Sequence, residues 1–252
     1  MQDLGEFLLF LTLICAGSHV HGSAIINGDL APEDSMQFMV SVQSKKGHVC
    51  GGFLIEEDFV VTAAHCNLEL THVILGGHNW KNPSAKKIEI INQCKHHYKE
   101  TMSGHDIMLL KVSICLAPKG NNIKTIPLAE MNMNLKENQL CSVAGWGKTK
   151  NRGHSVDALR MVNVTIIDQT TCKKSWPKLP NNVICAGGFK TKKGFCQGDS
   201  GGPLVCSGRA VGIVSFNKEE NCKYPDVPNV YTDIRGYVKW IKDITSKKTC
   251  LM

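Results

Sequence analysis

Cys196-Gln197-Gly198-Asp199-Ser200-Gly201-Gly202-Pro203 sets a serine among glycines, where a backbone free of side chains can approach a substrate and donate amide hydrogens. Gly, Asp and Ser also favour ordinary tight turns for local reasons, so the stretch alone reads equally well as a turn. Two further segments break that tie. Val61-Thr62-Ala63-Ala64-His65-Cys66 supplies an imidazole, and His105-Asp106-Ile107-Met108-Leu109-Leu110 supplies a carboxylate. A serine hydroxyl is a poor nucleophile at neutral pH. Acyl transfer needs an imidazole within hydrogen-bond reach, and the imidazole needs a carboxylate to fix its tautomer and stabilise its charged form. Taken singly, His65 reads as a satisfied core histidine and Asp106 as a strand-end residue; taken together with Ser200, they are candidates for base, acid and nucleophile.

The chain has 252 residues, 42% of them hydrophobic, enough for a sizeable core and unlike a disordered or fibrous composition. Phe7 to Ile14 is an apolar run of signal-peptide length followed by small residues, although Asp3 and Glu6 precede it without any Lys or Arg. No later segment approaches the roughly 20 apolar residues of a membrane-spanning helix, so a secreted protein with no membrane partner is expected. Twelve cysteines behind such a leader point to disulfides. No repeated metal-ligand spacing is present, and no metal or cofactor is expected.

Removing residues 1–24 takes away two acidic and no basic side chains, leaving 29 Lys and Arg against 20 Asp and Glu, a net charge of +9 in place of +7. The lysines cluster, for example at Lys190, Lys192 and Lys193 and from Lys239 to Lys248. Each cluster alone reads as a solvated face. Their sum attracts polyanions, and a sulfated proteoglycan is a better candidate than nucleic acid because no aromatic residues interleave with the basic ones for base stacking.

Short Val- and Ile-rich runs broken by Gly, Pro, Asn and Asp predict an all-β chain of many short strands, a barrel or a sandwich. Met36, Phe38, Val40 and Val42 share one face of an extended segment, as do Val162, Val164 and Ile166; Ala210 to Phe216 reads as a strand buried on both sides. Only the end reads as helical, with Asp233 capping a stripe of Ile234, Tyr237, Val238, Ile241 and Ile244.

The order His, Asp, Ser, with TAAHC, DIMLL and GDSGGP around the three, closely resembles the chymotrypsin-like serine proteases from Ile25 to about Lys248. The resemblance implies two six-stranded antiparallel β-barrels with a C-terminal helix, His65 and Asp106 coming from the first barrel and Ser200 from the second, with the crossing near 119–137. The chain then divides into a signal peptide (1–22), an activation dipeptide (23–24), the protease domain (25–248) and a short tail (249–252). The family pattern further implies disulfides Cys50–Cys66, Cys141–Cys206, Cys172–Cys185 and Cys196–Cys222. Cys94, Cys115 and Cys250 stay unassigned; with an odd number of cysteines beyond the leader, Cys250 is the candidate for a free thiol. A monomer is expected, with a dimer through the spare cysteine as the alternative.

By family position the amides of Gly198 and Ser200 form the oxyanion hole, and Ser215 supports the acid from behind. Ile25-Ile26-Asn27-Gly28 matches the family's mature amino terminus, whose ammonium pairs with the carboxylate at Asp199. Ala24 precedes that bond, so a trypsin-like activator is not expected. If the leader is cut after Gly22, the dipeptide Ser23-Ala24 remains for a dipeptidyl peptidase, as in granzymes and mast-cell proteases; a cut after Ala24 gives an enzyme active from the start. Either route fits a protease of the leukocyte secretory granule, acting on protein or peptide substrates.

By family position, the residue six before the nucleophile lies at the base of the primary specificity pocket; here it is Gly194, without a carboxylate, so the resemblance does not imply a trypsin-like preference. Phe195 beside the base, Asn217 at the mouth and Asn229 on the wall all add bulk. They imply a narrowed pocket for uncharged residues of modest size, or else a polar residue reaching Asn229. Phe216 stands where the family usually has a tryptophan, and His105 where asparagine is common. Asn163-Val164-Thr165 is a glycosylation sequon, a weak signal. The competing reading is a catalytically weak cationic glycosaminoglycan-binding protein on a protease scaffold.

Overall fold

The computed structural model describes residues 25–113 and 123–250; the leader with its dipeptide, and Cys115, lie outside them. Six strands close the first barrel: β2 (Met39–Ser44), β3 (Gly47–Glu56), β4 (Phe59–Thr62), β5 (Leu70–Leu75), β6 (Lys86–Lys95) and β7 (Met108–Val112), paired in the order β2-β3-β4-β7-β6-β5. The second contains β8 (Leu140–Gly145), β9 (Arg160–Ile167), β10 (Val183–Ala186), β11 (Pro203–Cys206), β12 (Arg209–Phe216) and β13 (Val230–Asp233). It closes through β8 on β9, and a two-residue β1 (Asp29–Leu30) adds to β9. The fold is the expected pair of antiparallel six-stranded barrels with a C-terminal helix.

Side-chain alternation explains most of this. Along β9, Val162, Val164 and Ile166 are buried while Asn163 and Thr165 face solvent. In β12, Ala210 and Ile213 join the core of the first barrel, whereas Val211 and Val214 join the core of the second. A bulge, at which the β11 partners jump from Gly212 to Ala210, breaks the strict two-residue alternation. The strand is therefore a wall between two cores, which is why its sequence is apolar throughout.

The described part of the crossing bridges both barrels. The Ile126 N–H donates to the Leu54 carbonyl, and Ala129 and Pro127 exchange bonds with Ala210. Met36, read as part of the β2 face, sits before the strand in a turn, where its carbonyl accepts from Met39 N–H at 2.9 Å; with Phe38 it packs against Trp146 and Leu159 between the barrels.

Among the described residues there are two α-helices. The expected one begins as a 3-10 turn (Ile234–Tyr237), where the Asp233 carboxylate accepts from Arg235 N–H at 3.0 Å, and continues as α2 (Val238–Lys247). Ile234, Tyr237, Val238, Ile241 and Ile244 are all buried against the core of the first barrel, although the chain arrives from the second. The short α1 (Gln169–Ser175) was not expected: it has no apolar stripe to reveal it. It is held by the Asp168 carboxylate, which accepts from Thr171 N–H, and by the Cys172–Cys185 disulfide.

All four disulfides implied by the resemblance are present. Cys250 is not free: it pairs with Cys94 on β6. The helix α2 carries the terminus back across the first barrel to β6, a proximity that linear spacing does not show. This bridge closes a loop 156 residues long and pins the helix to the barrel it covers. Cys250→Ser should lower unfolding stability by about 2–4 kcal/mol, read as a fall in the urea midpoint under non-reducing conditions; an unchanged midpoint would show that the helix needs no such tether.

Candidate functional site

The three sequence segments meet at the seam of the barrels. His65 lies in a single 3-10 turn (Ala64–Cys66) directly after β4, Asp106 two residues before β7, and Ser200 three residues before β11. The base turn is stapled by Cys66 to Cys50 of β3. Asp106 is fully buried, and burying a carboxylate without partners is costly. Here both oxygens are occupied: Oδ1 accepts from His65 N–H at 2.9 Å, and Oδ2 accepts from the Ser215 hydroxyl at 2.5 Å and from His65 Nδ1 at 2.7 Å. An acceptor-only carboxylate makes Nδ1 the protonated nitrogen, which leaves Nε2 as the basic one. From the second barrel, the Thr232 hydroxyl donates to the Asp106 carbonyl at 3.0 Å.

His65 and Ser200 line one open cleft of about 460 Å3, with Val49, Cys50 and Leu68 from the first barrel and Gly198, Ser215, Phe216 and Asn217 from the second. The Ser200 carbonyl accepts from Gly51 N–H at 2.8 Å, so the serine loop is hydrogen-bonded to β3 across the seam. Gly201 makes that approach physically possible: it has φ +81°, and a Cβ there would stand 2.2 Å from Thr62 Oγ1 and 2.5 Å from the Gly51 carbonyl. Gly198, at φ +96°, likewise takes a backbone conformation that residues with a Cβ rarely adopt. Its carbonyl is held at 2.9 Å by Nε2 of the half-buried His48, whose Nδ1 contacts the Ser41 hydroxyl at 2.7 Å; desolvation lowers the His48 pKa.

Asp199 is fully buried beneath this loop. Its oxygens accept from Gly147 N–H and Cys196 N–H, both at 2.8 Å, and among the described residues no ion pair involves it. Burial pushes its carboxyl up to about 7, against the two amide bonds that pull the other way. Ile25 is also fully buried, and Ile26 N–H donates to the Gly194 carbonyl at 2.8 Å. Ile26 packs with Cys196, the residue whose amide holds Asp199.

The region expected to be the specificity pocket is closed at its base. Asn229 is fully buried on the wall, and its Nδ2 donates to the Tyr224 hydroxyl at 2.8 Å. Asn217 Nδ2 donates to the same oxygen at 3.1 Å, and that hydroxyl donates to the Phe195 carbonyl at 2.7 Å. Phe195 lines the cleft, but its ring stands edge-on to Tyr231 in the core of the second barrel, with 5.3 Å between ring centres. Its bulk is therefore spent on the core, and its carbonyl is what anchors Tyr224. Phe216 meets Trp176 edge-on at 5.2 Å, and Trp176 donates from its indole to the Pro228 carbonyl. Asp226 lies outside the cleft, its Oδ1 3.9 Å from Lys218 Nζ.

Sequence reasoning did not single out Tyr224, Trp176, or the two carboxylates of Glu219 and Glu220 at the cleft rim. A signal for Tyr224 was available: it is a large side chain two residues after Cys222, a cysteine tied to Cys196 just ahead of the serine loop. Asn163 is exposed on β9, its Oδ1 accepting from the Ser142 hydroxyl at 2.9 Å. His105, beside the acid, contacts the Tyr237 hydroxyl at 3.2 Å through Nδ1 and stacks near His96.

Comparison with known proteins gives concordant results. The trypsin family model matches residues 25–241. Granzyme-like protein 1 from Rattus norvegicus is 36% identical over 96% of this chain and 99% of its own length. Chymase from Canis lupus familiaris is 35% identical, covering 94% of this chain and 95% of the relative. Among solved structures, neuropsin, a serine protease expressed in the limbic system of mouse brain, superposes with a TM-score of 0.79 at 32% identity, over 88% of this chain and all of that one.

Proposed function

The chain belongs to the trypsin family of serine proteases and is a serine endopeptidase acting on protein or peptide substrates; from that membership we propose that Ser200, His65 and Asp106 carry its catalysis and that a cut before Ile25 switches it on. The observation that carries the reading is the Asp106 carboxylate, buried and bonded at 2.7 Å to Nδ1 of His65 in the cleft that Ser200 lines. Ser200 Oγ attacks the scissile carbonyl while Nε2 of His65 takes its proton, and Asp106 stabilises the imidazolium. The amides of Gly198 and Ser200 donate to the oxyanion. His65 then protonates the departing amine, and water activated by the same imidazole releases the acid from the acyl-enzyme.

Asp199 supplies the switch. A buried carboxylate next to the oxyanion donors repels the charge that develops there unless a cation neutralises it. An ion pair broken by removal of one partner costs about 3–5 kcal/mol. The ammonium freed at Ile25 is that cation. Residues 1–22 serve as the signal peptide, and Ser23-Ala24 as the dipeptide that a dipeptidyl peptidase removes. A cut after Ala24 yields the same amino terminus in one step. The product is secreted or stored in a granule, where its net charge of +9 suits a sulfated proteoglycan matrix.

Substrates with Lys or Arg before the cut are excluded, because Gly194 offers no carboxylate at the pocket base and Asp226 lies outside the cleft. Such substrates should be hydrolysed at least about 100-fold more slowly than uncharged ones, judged by several kcal/mol for an unpaired buried cation. Faster cleavage after Lys or Arg would reject that assignment.

A serine-directed fluorophosphonate tests the whole reading. With the chain processed to begin at Ile25, one adduct is expected, on Ser200. Absence of any adduct would favour the competing function, a cationic glycosaminoglycan-binding protein on a protease scaffold.

A further inference from the structure

Gly194 has a second meaning beyond the missing carboxylate. A Cβ built there would stand 2.4 Å from Asn229 Oδ1 and 2.5 Å from Cε2 of Tyr224, well inside van der Waals contact. The glycine does not leave room for a substrate side chain; the room is already taken by the Tyr224 ring. The open cleft agrees, for its walls include Phe195, Cys196, Ser215 and Asn217 but not Gly194, Tyr224 or Asn229. It ends above the floor.

From this geometry we infer that Tyr224 is a specificity-determining residue: its ring closes the primary pocket, pinned through its hydroxyl by Asn217, Asn229 and the Phe195 carbonyl, so that the enzyme cleaves after small uncharged residues, glycine, alanine and serine. The inference rests on the serine-protease assignment of the same cleft.

The pin is complete in hydrogen-bonding terms. A phenol oxygen can accept two bonds and donate one, and here it accepts from Asn217 and Asn229 and donates to Phe195. A larger substrate side chain must push the ring away and strand the buried Asn229 amide and the Phe195 carbonyl, while Asn217, half-buried, keeps its bond to the Asn221 carbonyl; the cost grows with each group left unpaired. Burial lifts the Tyr224 hydroxyl to about 12, so it stays protonated and able to donate throughout the working range. The Asn229 Oδ1 atom is buried without a partner. It faces Gly194 behind the ring, so a polar substrate group reaches it only after Tyr224 has moved. This decides between the two pocket readings open at the level of sequence in favour of small residues.

The test uses the full chain, secreted and processed to begin at Ile25, and matched peptides differing only in the residue before the cut. Alanine should exceed leucine by about 10-fold or more in kcat/KM, and phenylalanine by about 100-fold, the scale on which pockets discriminate one or a few methylenes. Tyr224→Ala should raise hydrolysis after leucine and phenylalanine at least about 10-fold while changing the alanine rate little. Fluorophosphonate labelling of every variant separates the two levels of the argument. If the wild type labels at Ser200 yet cleaves after phenylalanine as fast as after alanine, or if a labelled Tyr224→Ala keeps the wild-type profile, the pocket inference fails while the protease assignment stands. If the wild type does not label, both fail together. Should Tyr224→Ala fold poorly, Tyr224→Phe keeps the ring and removes the oxygen that pins it; leucine should then gain about 3-fold, and an unchanged profile overturns the inference.

Discussion

Replacing Ser200 with alanine in the chain that begins at Ile25 should lower kcat for peptide hydrolysis by about 10^6-fold, with substrate binding nearly unchanged; this is the scale on which serine proteases respond to loss of the nucleophile. Binding survives because the cleft walls, Phe216, Asn217 and Trp176 among them, do not depend on the hydroxyl. His65→Ala should cost a similar factor, and the double variant little more than either single one, because the two groups act as a unit. Asp106→Asn should cost about 10^4-fold. Its amide nitrogen cannot accept from His65 Nδ1, so the imidazole is driven to the wrong tautomer while the Ser215 and backbone contacts still fix its position. Losses that multiply, rather than saturating in this way, would show that the three groups do not work together.

The second large effect concerns the amino terminus. The chain that retains residues before Ile25 should show less than about one-thousandth of the activity of the chain cut there. That factor corresponds to the roughly 3–5 kcal/mol set by an unpaired buried carboxylate. Asp199 also links the switch to pH. Without the ammonium, its folded-state carboxyl holds a proton up to about pH 7, whereas the ordinary aspartate value of the unfolded chain is 3.8. Between these values the folded uncut chain binds more protons than the unfolded one, so its stability is greatest at the acid end and falls as the pH rises toward 7. In the cut chain the ammonium removes that penalty. The stability gap between cut and uncut protein should therefore widen from pH 4.5 to pH 7, by about 3 kcal/mol on the scale of 1.4 kcal/mol per pKa unit. Urea midpoints of both forms at the two pH values measure it, and a gap that does not change with pH would remove Ile25 as the partner of Asp199.

Much of this was legible because it is written locally. The apolar alternation of Val162, Val164 and Ile166 marks β9, the capped stripe from Ile234 to Ile244 marks the final helix, and the residues flanking His65, Asp106 and Ser200 mark the candidate base, acid and nucleophile. What stayed hidden depends on long-range placement. Cys250 meets Cys94 only because a helix leaving one barrel lies across the other. Helix α1 is too short to show a period and is held by a cap and a disulfide. Tyr224 looks like an ordinary loop residue until Gly194, thirty positions earlier, is found pressed against its ring. Phe195 carries the same lesson in reverse: its size suggested a filled pocket, but its ring serves the barrel core and its carbonyl does the filling indirectly, through Tyr224.

The central claim is that one serine, activated by one imidazole at the seam of two barrels, forms a covalent acyl intermediate. Rapid mixing of the Ile25-started protein with p-nitrophenyl acetate, whose acyl group is small enough for the closed pocket, measures this directly. A burst of one equivalent of nitrophenolate per protein is predicted, with the acetyl group found on Ser200 after acid quench and no burst in His65→Ala. Steady release without a burst and without an acetyl group on Ser200, or acetyl found on another residue, would contradict the account.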